Sequence, residues 1–269
     1  MLDKLESQLK TQNFSQKTID SYMLHNQQFL KFVNKEPDKL DDNDLKNYLN
    51  YLGNEKKYKP RSLNLTFAAL KFYFSNVLNK KVSDVKLQKP EKKSQVNLTK
   101  EELKSLVNVL ENSKHKLLLK LMASSGLKAG EVITVKISDI NFEQKLLKVK
   151  NEKGKEHLTI ISDKTASELK DFIGKRKDAN PYLFAIKDRH VSIKLPQKII
   201  KAAAKKANIN KKVFCHALRS SFSNILSNNG YATRYVKLLL GNHNSLIEDP
   251  YTKLSIDEIK KLKNPFEDI

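Results

Sequence analysis

The feature that most constrains the fold is an interruption at residues 86–97, where KLQKPEKKSQVN carries Pro90 among charged residues and has no apolar period. Proline and charge without hydrophobic periodicity are typical of a linker. Apolar positions lie on both sides of it, and a hydrophobic content of 39% over 269 residues is enough for one large or two modest cores. The sequence therefore predicts two domains, residues 1–85 and 98–269, joined by this linker.

The first segment has the apolar spacing of a small helical bundle. Ser15 precedes a stretch up to Val33 in which apolar residues recur near helical spacing, and serine is a preferred N-cap. A second helix is expected to end at Gly53 and a third to begin at Pro60, since glycine follows helix ends and proline favours the first turn. With the amphipathic N-terminus, these stretches predict about four helices.

The second segment mixes helices with strands. Thr99 and Glu102 have the spacing of a capping box at a helix start. Residues 146–161, LLKVKNEKGKEHLTII, have two short apolar runs around a charged turn at Lys153, which predicts a hairpin. Three more helical stretches are expected within residues 163–240. The sequence thus predicts a mainly α fold with a small antiparallel β-sheet.

The charge of the chain indicates a polyanionic partner. There are 51 Lys and Arg against 30 Asp and Glu, which gives a formal net charge of +21 spread over the whole length. Nucleic acid is the commonest partner for such a field. The alternative is a genome whose base composition favours lysine codons. Only five of the basic residues are arginine: Arg61, Arg176, Arg189, Arg219 and Arg234.

Cysteine usage and hydropathy indicate the compartment. The single cysteine, Cys215, excludes an internal disulfide and a cysteine-based zinc cluster, which suits a reducing cytosol. No stretch approaches an uncharged run of about 18 residues, and the N-terminal MLDKLESQLK is charged from the start. We therefore expect a soluble cytoplasmic protein with neither a membrane span nor a signal peptide.

His216 and Arg219 are the first candidates for chemistry. They are three residues apart and so share one face of a helix. A guanidinium can bind two phosphate oxygens and an imidazole can move a proton, so this pair suits a phosphodiester. The alternative is an ordinary helix start whose His and Arg pair with acidic neighbours.

Tyr251 lies where such a site would need a nucleophile. After His216 the chain passes through one helix expected to end at Gly230 and a second that ends at Gly241. A helical hairpin of this kind can return Tyr251 to the neighbourhood of His216 and Arg219. A phenol needs help to attack phosphorus, and cations around the phosphate supply it by stabilising charge in the transition state.

Three motifs resemble one known family. Residues 216–255, HALRSSFSNILSNNGYATRYVKLLLGNHNSLIEDPYTKLS, resemble the C-terminal signature of the tyrosine recombinase (phage integrase) family, especially its short Xer-like members. SSGLKAGEVITVKISDI is similar to the box that carries the family's first arginine, and NEKGKEHLTI to the hairpin that carries its active-site lysine. The N-terminal helices are similar to the family's core-binding, SAM-like domain. The resemblance covers nearly the whole chain.

The resemblance implies a site-specific DNA recombinase, in which the helical core-binding domain is followed by an α+β catalytic domain. Tyr251 would attack a scissile phosphate to form a 3′-phosphotyrosyl link, Arg219 would clamp the phosphate, and His216 would accept or donate a proton. Lys153, in the hairpin turn, would protonate the leaving 5′-oxygen, with Lys155 as the alternate.

The same resemblance implies double-stranded DNA as the partner and no metal, nucleotide cofactor or small-molecule substrate. Four protomers are expected to assemble on two DNA sites in the nucleoid, and three tasks stay open: chromosome partition, integration and inversion. The tail LSIDEIKKLKNPFEDI has an apolar stripe that is expected to dock either on a neighbouring protomer or back on its own domain.

Three positions depart from the family's pattern. Lys128 stands where the first arginine is expected, which keeps the charge but loses the bidentate fork. Asn242 stands where the family has His or Trp after LLG, with His243 next to it as an alternate, and Ser220 replaces a frequent His. Three interpretations stay open: an active recombinase, a catalytically degenerate homologue that binds DNA as a regulator, and a variant with an altered active site.

Overall fold

The computed structural model describes residues 2–83, 85, 87–89, 95–151, 154–242, 258–259, 262 and 264–267. The chain divides into two compact units, residues 1–93 and 94–269. The predicted linker, residues 86–97, spans this division, and its limits stay a prediction. None of the helices in the described part of the chain combines the length and apolarity that a membrane crossing needs.

The N-terminal unit is helical, as predicted. Its described α-helices are α1 (Leu2–Thr11), α2 (Gln16–Val33), α3 (Asp42–Asn54) and α4 (Pro60–Asn76), with a 3₁₀ turn at Pro37–Lys39. The Ser15 hydroxyl accepts a hydrogen bond from the backbone N–H of Thr18, which confirms it as the N-cap of α2. Aromatic rings fill the core: Phe29 lies 5.9 Å from Phe74 and 5.4 Å from Tyr48 between ring centroids.

The C-terminal unit combines helices with two small sheets. Its described helices are α5 (Lys100–Asn108), α6 (Ser113–Ser125), α7 (Ala129–Thr134), α8 (Asp163–Gly174), α9 (Lys194–Lys206), α10 (Cys215–Asn228) and α11 (Thr233–Leu239), with a 3₁₀ turn at Ile137–Asp139. Residues 163–240 thus hold four helices, and the prediction of three was wrong because the region folds in shorter pieces. Thr99 and Glu102 form the predicted capping box at α5.

The first sheet is antiparallel and contains the predicted hairpin. Its strands are β1 (Ile140–Asn141), β2 (Leu146–Lys150) and β3 (Glu156–Ile160), in the order β1-β2-β3. A second, two-stranded sheet, β4 (Ala185–Ile186) with β5 (Arg189–His190), was not predicted. In the β2–β3 pair Leu147 faces Thr159 and Val149 faces His157. Thr159 and Val149 are buried, so this face of the hairpin lies against the core.

Helix α6 is the central element of the C-terminal unit. Every residue from Leu117 to Ser125 is buried, and the helix packs on α8, α9 and α10. It ends at Gly126, whose φ of +65° is a left-handed conformation that favours glycine. A Cβ there would also lie 2.5 Å from the ring of Phe222, so the end of α6 and α10 approach each other closely.

The described residues of the tail pack on their own unit. Phe266 is fully buried and stacks on Phe222 of α10 at 5.5 Å between centroids. The Asn264 amide donates to the Ser124 carbonyl at 3.0 Å, and Glu267 accepts from the Asp163 backbone N–H at 2.8 Å. These described residues contact helices of the unit that holds Arg219, and docking of the tail on a neighbouring protomer stays a prediction.

Candidate active site

Arg219 is held at the meeting point of three chain segments. Its guanidinium Nη1 donates to the carbonyl of Gly126 at 3.0 Å and approaches Glu131 Oε2 at 3.5 Å. Nη2 donates to the carbonyl of Leu240 and, at 3.1 Å, to Asn242 Oδ1. Helix α10 thus places the guanidinium between the end of α6, helix α7 and the turn after α11.

This guanidinium is almost completely buried. Arg219 is 4% exposed, and a buried cation is unfavourable unless it is paired and hydrogen-bonded. Burial lowers the pKa of the Arg219 guanidinium, and the Glu131 carboxylate opposes that shift. Since an arginine stays charged in any protein environment, the result is a fixed positive charge in a region of low dielectric constant.

Glu131 links Arg219 to a second cation. It is itself only 4% exposed, and its Oε1 lies 3.0 Å from the ammonium of Lys128. Its Oε2 also accepts from the Lys128 backbone N–H at 2.8 Å, which closes a capping box at the start of α7. The Lys128 side chain is 52% exposed. A buried carboxylate therefore holds one cation inside the domain and one at its surface, and the set carries one net positive charge.

The turn after α11 supplies the other partners of Arg219. Gly241 has a φ of +62°, and its N–H donates to the Leu238 carbonyl at 2.8 Å, which ends the helix. Asn242 follows and is exposed, with its amide oxygen on Arg219. Its NH₂ group is therefore the part of this amide that can donate to an anion.

His216 is the exposed member of the predicted pair. It lies in the first turn of α10, one turn before the buried Arg219. Ala217, Leu218 and Phe222 form the buried side of the helix. An accessible imidazole can exchange protons with a substrate at the surface, whereas the guanidinium behind it holds a fixed charge.

The β2–β3 hairpin reaches the same turn. A Cβ added to Gly241 would lie 2.6 Å from Nδ1 of His157, so the imidazole of β3 contacts the Gly241 backbone. Lys155 is exposed and lies two residues before His157, and the bond from Asn151 N to Lys155 O, at 2.9 Å, extends the ladder of the hairpin. Lys155 thus lies directly before β3, close in sequence to the residue that touches this turn.

The remaining predicted residues, Tyr251, Lys153 and His243, lie outside the described residues. The structure brings Arg219, Lys128 and Asn242 together, places His216 one helical turn away, and brings the hairpin that bears Lys155 to the same turn. No group of three or more His, Cys, Asp or Glu side chains placed to hold a metal ion is found among the described residues.

Family models match both units. The model of the phage integrase family matches residues 96–257, and that of the phage integrase N-terminal SAM-like domain matches residues 1–84. The chain belongs to the phage integrase family.

Relatives of this integrase-family chain include Xer recombinases. Tyrosine recombinase XerA of Pyrococcus horikoshii is 32% identical over 210 residues, which cover 76% of this chain and 73% of the relative. The crystal structure of XerA recombinase matches with a TM-score of 0.52 and 27% identity, over 94% of this chain and 93% of that one. XerH bound to its difH substrate before cleavage matches with a TM-score of 0.71 at 20% identity, over 94% and 83%. These matches confirm the predicted Xer-like tyrosine recombinase assignment and the fold class, and they do not favour a degenerate DNA-binding homologue.

Two residues of this family member were missed in the sequence. Glu131 was not singled out because carboxylates are usually exposed, although its spacing of three from Lys128 is that of a capping box. His157 was missed because its partner, Gly241, is 84 positions away in the sequence. The sequence signal for His157 was its place in the alternation of β3, which puts this polar side chain on the face toward the core.

Proposed function

We propose that this protein is a site-specific recombinase that breaks and rejoins double-stranded DNA through a 3′-phosphotyrosyl intermediate. The observation that carries the proposal is the buried Arg219 guanidinium, fixed by four acceptors and joined through Glu131 to Lys128. Such a fixed cluster of charge can stabilise a pentacoordinate phosphate without rearranging in the transition state.

The residues have the following roles. The hydroxyl oxygen of Tyr251 attacks phosphorus, the bond from phosphorus to the 5′-oxygen breaks, and the 3′-phosphate stays on the tyrosine. Lys128 stabilises the charge on the nonbridging oxygens, and Asn242 donates its NH₂ group to one of them. Arg219, whose Nη groups already donate to protein acceptors, contributes a fixed positive charge behind them. His216 takes the proton of the phenol as the bond forms. In the second step a 5′-hydroxyl attacks the phosphotyrosyl link, and each proton moves back.

The leaving 5′-oxygen needs a proton, and a lysine of the hairpin supplies it. Lys153 was predicted first, from its place in the turn, and Lys155 second. The position of Lys155, directly before β3 and two residues before His157, supports Lys155, because His157 touches the turn that holds Arg219. Both lysines are therefore candidates, and a substrate that needs no proton donor separates them.

The partner is duplex DNA, held through phosphate contacts to lysine-rich surfaces and through a few base contacts in the major groove. We further propose that four protomers assemble on two sites, and that the protein acts in the cytoplasm, at the nucleoid, in chromosome partition or in the movement of a DNA element. Binding to phosphates releases counterions, so the logarithm of the affinity should fall linearly with the logarithm of the salt concentration.

A nicked substrate tests the proposal. The target site is first found by sequencing DNA that the purified protein retains, and a nick is then placed beside the scissile phosphate so that the cleaved end is lost. A covalent protein–DNA adduct should accumulate with the wild-type protein and be absent with Tyr251→Phe, while Tyr235→Phe keeps it. Tight, salt-sensitive binding without any adduct would instead establish the DNA-binding regulator.

A further inference from the structure

His157 occupies an unusual place for a titratable side chain. Its cross-strand partner Val149 is 1% exposed, so the register places His157 on the face of β3 that lies against the core. A Cβ on Gly241 would lie 2.6 Å from Nδ1 and 2.9 Å from both Cε1 and Cγ of this ring. The imidazole and the glycine backbone are therefore in direct contact, and no larger residue fits at 241 without moving the ring.

Gly241 is the centre of the turn that holds Arg219. The residues on either side of it, Leu240 and Asn242, both accept hydrogen bonds from Nη2 of that guanidinium. The left-handed φ of Gly241 aims the two acceptors, and the His157 ring lies against the backbone between them. A displacement of the ring would thus be passed to both acceptors at once.

We propose that His157 is a positioning residue, whose ring fixes the Leu240–Asn242 turn and thereby sets the Arg219 guanidinium relative to the hairpin that bears Lys155. Packing of the ring provides this role, and the imidazole transfers no proton. The effect on DNA cleavage rests on the proposed function, whereas the effect on the turn is a property of the folded chain and can be measured without DNA.

Hydrogen exchange measures the turn directly. In His157→Ala the backbone amides of Gly241 and Asn242 should exchange about tenfold faster than in wild type, since local opening replaces a packed turn. His157→Phe keeps a planar ring and should restore slow exchange. His190→Ala is the matched control: that histidine is also partly buried on a short strand, with its ring 5.2 Å from Tyr182, and its removal should leave the turn unchanged.

Thermal unfolding of Gly241 variants tests the contact between the His157 ring and Gly241. Gly241→Ala introduces a Cβ that collides with the ring, so it should lower Tm more in wild type than in the His157→Ala background, where the ring is gone. Additive shifts in Tm would show that the ring does not meet Gly241. Unchanged exchange in His157→Ala would likewise overturn the proposal.

Single-turnover cleavage of the nicked substrate then measures the consequence. His157→Ala should slow adduct formation about 10- to 100-fold, because small misplacements of a charge-stabilising group are costly, with Kd for DNA nearly unchanged. His157→Phe should cleave nearly as fast as wild type. A Phe variant as slow as the Ala variant would assign the imidazole a chemical role and refute positioning, as would an equal loss in His190→Ala. Absence of any wild-type adduct would refute the proposed function, while exchange and Tm would still decide the role of His157.

Discussion

Removal of the Glu131 carboxylate should destabilise the catalytic unit strongly. Breaking a buried ion pair by removing one partner costs about 3–5 kcal/mol, because the other charge remains buried without compensation. In this protein Arg219 keeps three neutral acceptors, at Gly126, Leu240 and Asn242, and its contact with Glu131 is long at 3.5 Å. We therefore expect Glu131→Ala to lose about 3 kcal/mol in the free energy of unfolding, at the low end of this range.

A conservative change separates charge from shape. Glu131→Gln keeps an amide oxygen that can accept from the Lys128 backbone N–H, so the capping box survives, while the charge and the acceptor for the Lys128 ammonium are lost. A hydrogen bond to a charged group contributes about 1.5–3 kcal/mol to stability, and we expect Glu131→Gln to lose about 1–2 kcal/mol in the free energy of unfolding. The control is Glu111→Ala, since Glu111 pairs with Lys206 at the surface and is 90% exposed in its side chain. Its effect should stay within about 0.5 kcal/mol.

Urea unfolding followed by circular dichroism measures these differences, as the sequence has no tryptophan for a fluorescence signal. Hydrogen exchange of the α10 amides assigns the loss to the catalytic unit, because α10 belongs to that unit. If Glu131→Ala unfolds at the same urea concentration as Glu111→Ala, Glu131 does not carry the counter-charge of Arg219, and the network argument is refuted.

Three further outcomes follow from the same site. Lys128→Arg restores a guanidinium that can donate two hydrogen bonds, and the exposed side chain leaves space for it. Adduct formation should become about tenfold faster, which corresponds to one charge-assisted hydrogen bond. An unchanged rate would show that Lys128 does not face the phosphate. The hairpin lysine that protonates the leaving group should be dispensable when the 5′-bridging oxygen is replaced by sulfur. This substrate should therefore rescue cleavage by Lys155→Ala or by Lys153→Ala, but not by Arg219→Ala. If it rescues neither lysine variant, neither lysine is the proton donor. Burial raises the pKa of the Cys215 thiol, which leaves less thiolate at pH 8, so iodoacetamide should alkylate Cys215 more slowly in the folded protein than in urea; equal rates would contradict the burial.

Local sequence patterns predicted the helices and the hairpin well, because amphipathic periodicity and helix capping depend on residues that are close in sequence. Ser15, Thr99 and Pro60 each lie at the helix start that the sequence predicts. The two strands β4 and β5 have two residues each, too few for an alternation to be visible. The number of helices in residues 163–240 was not predicted because the helices end where the chain turns to pack on α6. Those ends are set by tertiary contacts and not by local propensity.

The site was only partly predictable for a related reason. His216 and Arg219 could be paired because they are one helical turn apart, and Lys128 entered through a family motif. The burial of Glu131 between two cations could not be predicted, since it depends on α7 and α10 meeting across 88 residues of sequence. Sequence spacing predicts which side chains of one helix or strand lie together, whereas the charge balance of a site depends on which helices and strands contact each other.

Two of the departures from the family's pattern, Lys128 and Asn242, lie at the two ends of one chain of contacts. Lys128 contacts Glu131, Glu131 approaches Arg219, and Arg219 donates to Asn242. Because neighbouring groups in one network do not act independently, the changes Lys128→Arg and Asn242→His should not be additive. Their combined effect on the cleavage rate should differ from the product of the single effects by at least about twofold, which corresponds to about 0.5 kcal/mol of coupling. Glu111→Ala is the control: Glu111 pairs with Lys206 at the surface, so its effect should multiply independently with Lys128→Arg. If Lys128→Arg and Asn242→His multiply in the same way, the two substitutions act separately and the network does not transmit between them.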